Sequence, residues 1–252
     1  MIALWRLGAA LVLAASWYAT SELIGPESLP GPGTTVTAAS GLISRATLWT
    51  AAGETLTSTL LGLLIAAAVA IPLGLFIGAN RFATDSSRMS LDFLASIPPV
   101  SFLPLALLLF GPTLPMKLML IGYGACWPLL VRTVAALRDV EPQQHDVCDA
   151  FGLGQWVRWA RVYLPATAPG IVVGLRVSST IALLLSIVAE YIGGASGLGA
   201  ELARIQVAGR ADDVLALAVF AALLGVVLNV AINAVERLAI GWHPSVRLVE
   251  AP

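Results

Sequence analysis

Long apolar stretches separated by short polar segments run along most of this chain. A bilayer core of about 30 Å needs roughly 20 apolar residues per helical span, and six stretches meet that requirement. They cover residues 2–20, 55–79, 91–110, 117–137, 170–192 and 214–238. The pattern therefore predicts an all-α integral membrane protein with six transmembrane helices.

Composition supports the membrane assignment. Hydrophobic residues make up 58% of the 252 residues and charged residues only 12%, and the mean hydropathy is +0.87. Water-soluble globular domains typically carry about 25% charged residues, so this chain is too apolar to be one. The net charge of −1 gives no indication of a nucleic-acid partner.

Arginine placement predicts the orientation in the membrane. With a cytoplasmic amino terminus, most arginines in the connections and near the span ends lie on the cytoplasmic side, as the positive-inside rule requires. The cytoplasmic set is Arg6, Arg81, Arg88, Arg138, Arg158, Arg161, Arg237 and Arg247, and the external set is Arg45, Arg204 and Arg210. Both termini are then cytoplasmic.

The first apolar stretch is expected to stay in place as a helix and not to be cleaved as a signal peptide. It is long, and Trp17 and Tyr18 suit the aromatic belt of a membrane interface. Prolines and glycines over residues 21–53 predict an external connection with little regular structure. A short helix is expected along the outer surface at about residues 41–51.

Small residues recur every fourth position on three spans. In lipid, small side chains let helix backbones approach closely, so these faces predict helix–helix contacts. Asn229 and Asn233 stand apart, because an amide within the membrane needs a polar partner or a wet pathway. The full stripes are Ser58, Gly62, Ala66, Ala70, Gly74 and Gly78 on the second span; Gly170, Gly174 and Ser178 on the fifth; and Ala221, Gly225, Asn229 and Asn233 on the sixth.

Prolines and charges interrupt the spans. Each proline removes a backbone donor and kinks or breaks a helix, either at a transport pathway or as a purely structural kink. Arg176 and Glu190 are expected to avoid lipid, because a charge at the membrane centre costs at least about 2.5 kcal/mol. Arg176 is open to two interpretations, an anion sensor or a buried ion pair, and Glu190 is expected near an outer gate. The prolines are Pro72, Pro98, Pro99 and Pro104.

A polar segment separates the fourth and fifth apolar stretches. Its spacing predicts a short helix over 143–151, a turn at residues 152–154 and a second helix over 155–163. The first helix exposes Asp146 and Asp149 on one face. Leu164-Pro165 and Pro169 are expected to end the segment and start the fifth span. The second helix is predicted to place Trp156, Trp159 and Tyr163 on one side and Arg158 and Arg161 on the other.

The sequence lacks the motifs of nucleotide and metal sites. A phosphate-binding loop ends in Gly-Lys-Ser/Thr, yet Lys117 is the only lysine and has apolar neighbours on both sides. Cys126 and Cys148 support neither a disulfide framework nor a metal cluster, and His145 and His243 are isolated. Any ATP hydrolysis would have to come from another chain.

The polar segment resembles the EAA coupling loop of ABC importer permeases. The family spacing, E-A-A-x(3)-G-x(9)-I-x-L-P, is kept from Asp146 to Pro165. Four residues depart from the pattern, namely Asp146, Val147, Cys148 and Val162. The resemblance assigns ATPase coupling to Asp146, Val147, Cys148, Asp149, Gly152, Leu164 and Pro165.

From about residue 50 to 238, the order of features looks like the permease branch for nitrate, sulfonates such as taurine, and related small anions. The residues that carry this likeness are Pro98-Pro99, Leu103-Pro104-Leu105, Gly174-Leu175-Arg176, Ala189-Glu190 and Ser196-Gly197-Leu198-Gly199. The resemblance implies the type I importer permease fold. It divides the chain into a first helix and external connection (1–50), a permease core (51–238) with a cytoplasmic coupling loop (138–166), and a cytoplasmic tail (239–252).

The same resemblance implies partners in a bacterial inner membrane. These are a second permease copy in a homodimer, two cytoplasmic ATPase subunits that bind ATP and magnesium, and an external binding protein. The chain itself is expected to be a transport subunit with no ATPase site, cofactor or metal, and not an enzyme. Its tentative pathway residues are Arg176, Glu190, Asn229 and Asn233.

The sequence leaves the solute open among sulfonates, nitrate, aromatic carboxylates and thiamine-precursor pyrimidines. Two other classes of function compete with the importer hypothesis. An ATP-independent channel or secondary transporter leaves the coupling pattern unexplained. A membrane-embedded enzyme would need a catalytic constellation, and the ionisable residues within the spans show no such spacing.

Overall fold

The computed structural model describes residues 2–25, 29–140 and 142–240, and every regular element in those residues is helical. The α-helices are α1 Ile2–Ile24, α2 Pro32–Ile43, α3 Ala46–Gly78, α4 Arg81–Ser96, α5 Leu103–Phe110, α6 Leu114–Arg138, α7 Pro142–Ala150, α8 Gln155–Arg158, α9 Leu164–Gly193, α10 Leu198–Val207 and α11 Ala211–Ile240. A 3₁₀ turn at Pro99–Phe102 precedes α5, and a π-helical turn at Trp159–Tyr163 precedes α9. The tail from residue 241, with His243 and Arg247, lies outside the described residues.

Helix α6 forms the centre of the bundle, packed between α3 and α9. The small-residue stripes of its two neighbours face it, as predicted. At Gly74 of α3 an added Cβ would lie 2.7 Å from the Cβ of Thr133, and at Gly174 of α9 it would lie 3.0 Å from the Cβ of Arg132. The first distance is too short for a side chain and the second would force Arg132 to shift, so these glycines allow the helices to approach closely.

Helices α3 and α6 run parallel to each other and antiparallel to α9, and together they define two ends of the bundle. The α7 end carries the α3–α4 turn and the polar segment between α6 and α9. The α10 end carries the starts of α3 and α6, the end of α9, and the loop leading into α10. Helix α11 then returns along α9 and packs against α2 and α10.

The predicted third span, residues 91–110, differs from the structure in both start and shape. The helix begins ten residues earlier, at Arg81, and the chain bends by 70° between α4 and the Pro99–Phe110 piece. The bend follows from Pro98 and Pro99, which cannot donate backbone hydrogen bonds. The hydroxyl of Tyr123 on α6 donates to the carbonyl of Leu94 at 2.7 Å and so satisfies a carbonyl at the broken end.

The first external connection is more regular than expected. The prediction of little regular structure over 21–53 was wrong, because α1 continues to Ile24 and α2 begins at Pro32. Pro32 suits the first turn of a helix, where its missing N–H has no intrahelical partner to lose. The expected helix at 41–51 was also wrong, because the chain leaves helical structure around Arg45 and α3 starts at Ala46.

The start of the fifth span was also misplaced. Pro165 and Pro169 do not separate the polar segment from the span, because the helix runs without a break from Gln155 to Gly193 over 39 residues. Proline is tolerated at Pro165 because the π-helical turn directly before it already departs from the regular hydrogen-bond pattern.

The all-helical membrane fold is confirmed. Within the described residues, four helices are long and apolar enough to cross a membrane, and the bent pair α4–α5 would make a fifth. The apolar part described for α1, Leu11–Ile24, is shorter than these spans. The count of six spans therefore stays a prediction.

Candidate functional site

The polar segment between α6 and α9 contains the predicted first short helix, α7, and the predicted glycine turn, whereas its second helix, α8, continues into α9. Gly152 has a left-handed φ of 58°. Its N–H donates to the carbonyl of Asp149 at 3.0 Å, and the Leu153 N–H donates to the carbonyl of Cys148 at 3.0 Å. These two bonds form a Schellman cap, which ends α7 and sets the angle at which α8 leaves.

Arg158 clips the two short helices together. Its Nη1 donates to Asp149 Oδ1 at 2.6 Å, and its Nε donates to the carbonyl of Leu153 at 2.7 Å. Arg158 had been assigned only to a polar face, because a contact across a turn is not visible in helical spacing.

The polar segment presents a mixed apolar and acidic surface. Phe151 is 77% exposed and Trp156 is 83% exposed, and Val147, one helical turn before Phe151, is also exposed. Asp146 is exposed beside them. Cys148, by contrast, is 1% exposed and faces inward. A groove in another protein could therefore contact Asp146, Val147 and Phe151 directly, whereas Cys148 supports the segment from beneath.

The aromatic residues of the second short helix do not share one environment. Trp159 and Tyr163 are half-buried and pack edge to face, with ring centroids 5.5 Å apart. Trp156 lies exposed before the π-helical turn. The expectation that all three lie on one side does not describe their burial, because Trp156 is exposed whereas Trp159 and Tyr163 are half-buried.

A second polar cluster lies at the α10 end, inside the bundle. Glu190 of α9 is 0% exposed and pairs with Lys117 of α6, which is 3% exposed, at 3.0 Å. The hydroxyls of Ser186 and Thr55 donate to the same carboxylate at 3.0 Å and 2.8 Å. We call these four residues the buried cluster.

The buried cluster also binds the backbone of the loop that precedes α10. Lys117 donates to the carbonyl of Ser196 at 2.8 Å. The Gly199 N–H donates to Glu190 at 3.1 Å, and the Leu198 N–H donates to the Thr55 hydroxyl at 2.9 Å. The four polar side chains of three helices thus leave no group unpaired, which a buried ion pair requires.

Glycines make this close approach possible. Gly197 has a φ of 143°, which side chains rarely adopt, and a Cβ there would collide with the carboxylate of Glu190. A Cβ at Gly199 would meet the backbone of Ile187 on α9. The Gly-Leu-Gly sequence is therefore required by the contact with Glu190.

The four tentative pathway residues do not form one site. Glu190 lies in the buried cluster, fourteen residues from Arg176, or about 21 Å along a helix. Arg176 is half-buried on α9. Gly225 of α11 lies against Leu183 of α9. Because the two helices are antiparallel, Arg176, seven residues before Leu183, lies at about the depth of Asn233, eight residues after Gly225.

The two asparagines of α11 differ. Asn229 is exposed, and Asn233 is half-buried with its Oδ1 lacking a hydrogen-bond partner among the described residues. The expectation that Glu190 avoids lipid agrees with its burial. The assignment of any of the four residues to a pathway stays a prediction.

Sequence reasoning missed Thr55, Lys117 and Ser186 as partners of Glu190. A weak pattern was present, because Thr55 precedes Ser58 on the small-residue stripe and Lys117 is the one lysine of the chain. Over the ranges that the structure describes, no group of three histidine, cysteine, aspartate or glutamate residues could hold a metal ion.

These features define a helical membrane permease with a structured polar segment at one end. Residues 70–239 match the family described as binding-protein-dependent transport system inner membrane component. The chain belongs to this family and is an ABC importer permease, and its relatives include permeases named for sulfonate, nitrate and taurine transport.

Relatives align over most of the chain. SsuC of Escherichia coli K12, named for aliphatic sulfonate transport, is 28% identical over 251 residues, covering 100% of this chain and 92% of SsuC. The taurine transport system permease protein TauC of the same organism is 28% identical over 96% of this chain and 90% of TauC. The nitrate import permease protein NrtB of Synechocystis sp. is 26% identical over 73% of this chain and 67% of NrtB.

The fold also matches a solved permease. A structure of the MetNI methionine ABC transporter in an inward-facing conformation aligns with a TM-score of 0.66 and 20% identity, covering 76% of this chain and 95% of that chain. The type I importer fold implied by the coupling-loop pattern is thereby confirmed.

We expect Arg158→Ala to loosen the polar segment without disturbing the bundle. The change removes the bonds to Asp149 and Leu153, so amide hydrogen exchange over 148–154 should rise by about tenfold, since a lost charged hydrogen bond weakens local structure by ~1.5 kcal/mol. Arg161→Ala removes the same charge from an exposed position nearby and should leave exchange unchanged. Equal exchange in both variants would contradict the clip.

Proposed function

We propose that this chain is the permease subunit of an ATP-driven importer and that its polar segment docks on a separate ATPase. The observation that carries the proposal is the exposed surface of Asp146, Val147 and Phe151 on a rigidly capped turn. Family membership supports it, because such permeases work with an ATPase and a binding protein. The absence of a Gly-Lys-Ser/Thr loop from the sequence means that ATP must bind elsewhere.

The docking surface has the features of a protein contact. Exposed aromatic side chains commonly anchor interfaces, because they bury a large area at little entropic cost. Phe151 and Trp156 are exposed aromatics outside the predicted spans. The acidic groups Asp146 and Asp149 would set orientation by charge. The departure from the family pattern at Val147, where the family has alanine, makes this surface bulkier than an alanine-rich loop.

The transported solute is proposed to be a small anion. The relatives are named for aliphatic sulfonates, taurine and nitrate, and all three solutes carry negative charge on oxygens. Arg176 on α9 is the proposed anion-sensing residue of the pathway, because a guanidinium can bind such oxygens with two parallel hydrogen bonds. Asn233 at a similar depth on α11 would complete a polar surface there.

The proposed assembly contains two copies of this chain, two ATPase subunits and an external binding protein, in the inner membrane. The α7 end is then cytoplasmic and the α10 end external. Arginine placement supports this orientation, because Arg81, Arg88, Arg138, Arg158 and Arg161 all lie at the α7 end.

We expect Asp146→Arg and Phe151→Ala to uncouple transport from ATP hydrolysis while the permease still inserts. Each should lower ATP-dependent uptake in reconstituted vesicles by about tenfold or more, the effect of losing ~1.4 kcal/mol of docking free energy. Co-purification of the ATPase should fall in parallel.

Phe82→Ala provides the control for this experiment. Phe82 is 79% exposed at the same end of the bundle but lies outside the polar segment, so its loss should leave uptake intact. Full uptake and full ATPase association in both Asp146→Arg and Phe151→Ala would show that the segment is not the docking site.

The proposed orientation predicts which sites an impermeant thiol reagent reaches. In a background lacking Cys126 and Cys148, Ser196→Cys at the α10 end should react from outside intact cells. Ser86→Cys at the α7 end should react only after the membrane is opened. Both serines are exposed, so access, and not burial, decides the result. The reverse labelling pattern would place the polar segment outside.

A further inference from the structure

The buried cluster links the loop before α10 to all three central helices, and the proposed docking and pathway roles do not use it. Glu190 accepts four contacts, from Lys117, Ser186, Thr55 and the Gly199 N–H. Burying a charged pair this deeply costs free energy of desolvation, which only well-placed additional hydrogen bonds offset. The contacts with the loop backbone indicate what that position achieves.

We propose that the buried cluster is a latch that joins α10 to α9, so that force applied at the external face reaches the ATPase docking segment. This inference rests on the proposed function, because it takes the α10 end to be external. Thr55, Lys117, Ser186 and Glu190 act as positioning residues in it, without contact to the solute.

The first step is the attachment of α10. Three consecutive contacts, at Ser196, Leu198 and Gly199, hold the loop at the start of that helix. The side chain of Leu198 is also buried, in an apolar cluster with residues of α2, α3 and α11. Helix α10 therefore cannot shift without breaking bonds to the carboxylate of Glu190 or to the Thr55 hydroxyl.

The second step is the path to the other end. Glu190 lies in the last turn of the continuous helix Gln155–Gly193, which has 39 residues and so extends about 58 Å. Its opposite end is α8, which Arg158 clips to α7. A displacement of α10 is thus carried by one helix to the turn at Gly152, and no flexible connection lies between them.

The third step is that α10 has an exposed surface that an external binding protein can contact. Arg204 and Gln206 are exposed, and Val207 is 91% exposed at the end of the helix. A binding protein that presses on this surface would act directly on the latched part of the chain. Without the latch, the loop over 194–199 would absorb the movement.

Thr55→Val tests the latch without leaving a cavity in the fold. The substitution keeps the shape and removes only the hydroxyl, which donates to Glu190 and accepts from the Leu198 N–H. Thr59→Val is the matched control, since Thr59 is equally buried one turn along α3 and bonds only to the carbonyl of Thr55 within its own helix. Thr55→Ser restores the hydroxyl.

The experiment measures two quantities on the full transporter in lipid nanodiscs. The first is amide hydrogen exchange of the peptide covering 196–200. The second is the ratio of ATPase activity with the transporter's own binding protein, supplied with taurine or nitrate, to activity without it. Thr55→Val should raise exchange by about tenfold, as expected for a lost buried hydrogen bond. It should lower the ratio by about fivefold or more, the usual lower range of coupling between sites. Basal activity should not change.

Thr59→Val and Thr55→Ser should match the wild type in both quantities. Unchanged exchange in Thr55→Val would overturn the latch, and so would raised exchange with an unchanged ratio. If the wild-type transporter itself shows no response to the binding protein, the proposed function fails together with the transmission. If the wild type responds to the binding protein and Thr55→Val keeps the full response, the latch is wrong and the proposed function stands.

Discussion

The ion pair between Lys117 and Glu190 is the constraint on which the α10 end of this molecule depends. An unpaired charge there would be untenable, because several kcal/mol are lost when one partner of a buried pair is removed. The carboxylate is therefore surrounded by hydroxyl and backbone donors from α3, α9 and the loop before α10. The Gly-Leu-Gly sequence of that loop follows from this requirement, since a side chain at Gly197 would displace the carboxylate.

At the α7 end, a charged side chain and backbone hydrogen bonds also hold a loop in place, but these interactions are weaker. There, Arg158 and a Schellman cap hold a turn that is otherwise exposed to solvent. The centre between the two ends is closely packed, with glycines of α3 and α9 against α6. One continuous helix, Gln155–Gly193, joins the two polar clusters. A protein that responds at one face to an event at the other needs such a rigid connection. Small-residue packing supplies the rigidity such a response needs.

Features that depend on neighbouring residues could be predicted from the sequence. The small-residue stripes of α3 and α9 correctly identified packed faces, and spacing located α7 and the turn at Gly152. Features that depend on distant residues could not. Lys117 and Glu190 are separated by 73 positions, and periodicity does not reveal such a pairing. The helix boundaries at Pro32 and Arg81 were missed because prolines and polar residues were taken as ends of structure, although tertiary packing accommodates them.

The most direct test of the account is transport by the purified wild-type chain reconstituted with its ATPase and binding protein. The account predicts that taurine, nitrate or another small anion accumulates only when ATP and the binding protein are both present. Accumulation should also persist when ion gradients are collapsed. Uptake that proceeds without ATP, or that stops when a gradient is removed while ATP remains, would contradict the importer assignment and favour a channel or secondary transporter.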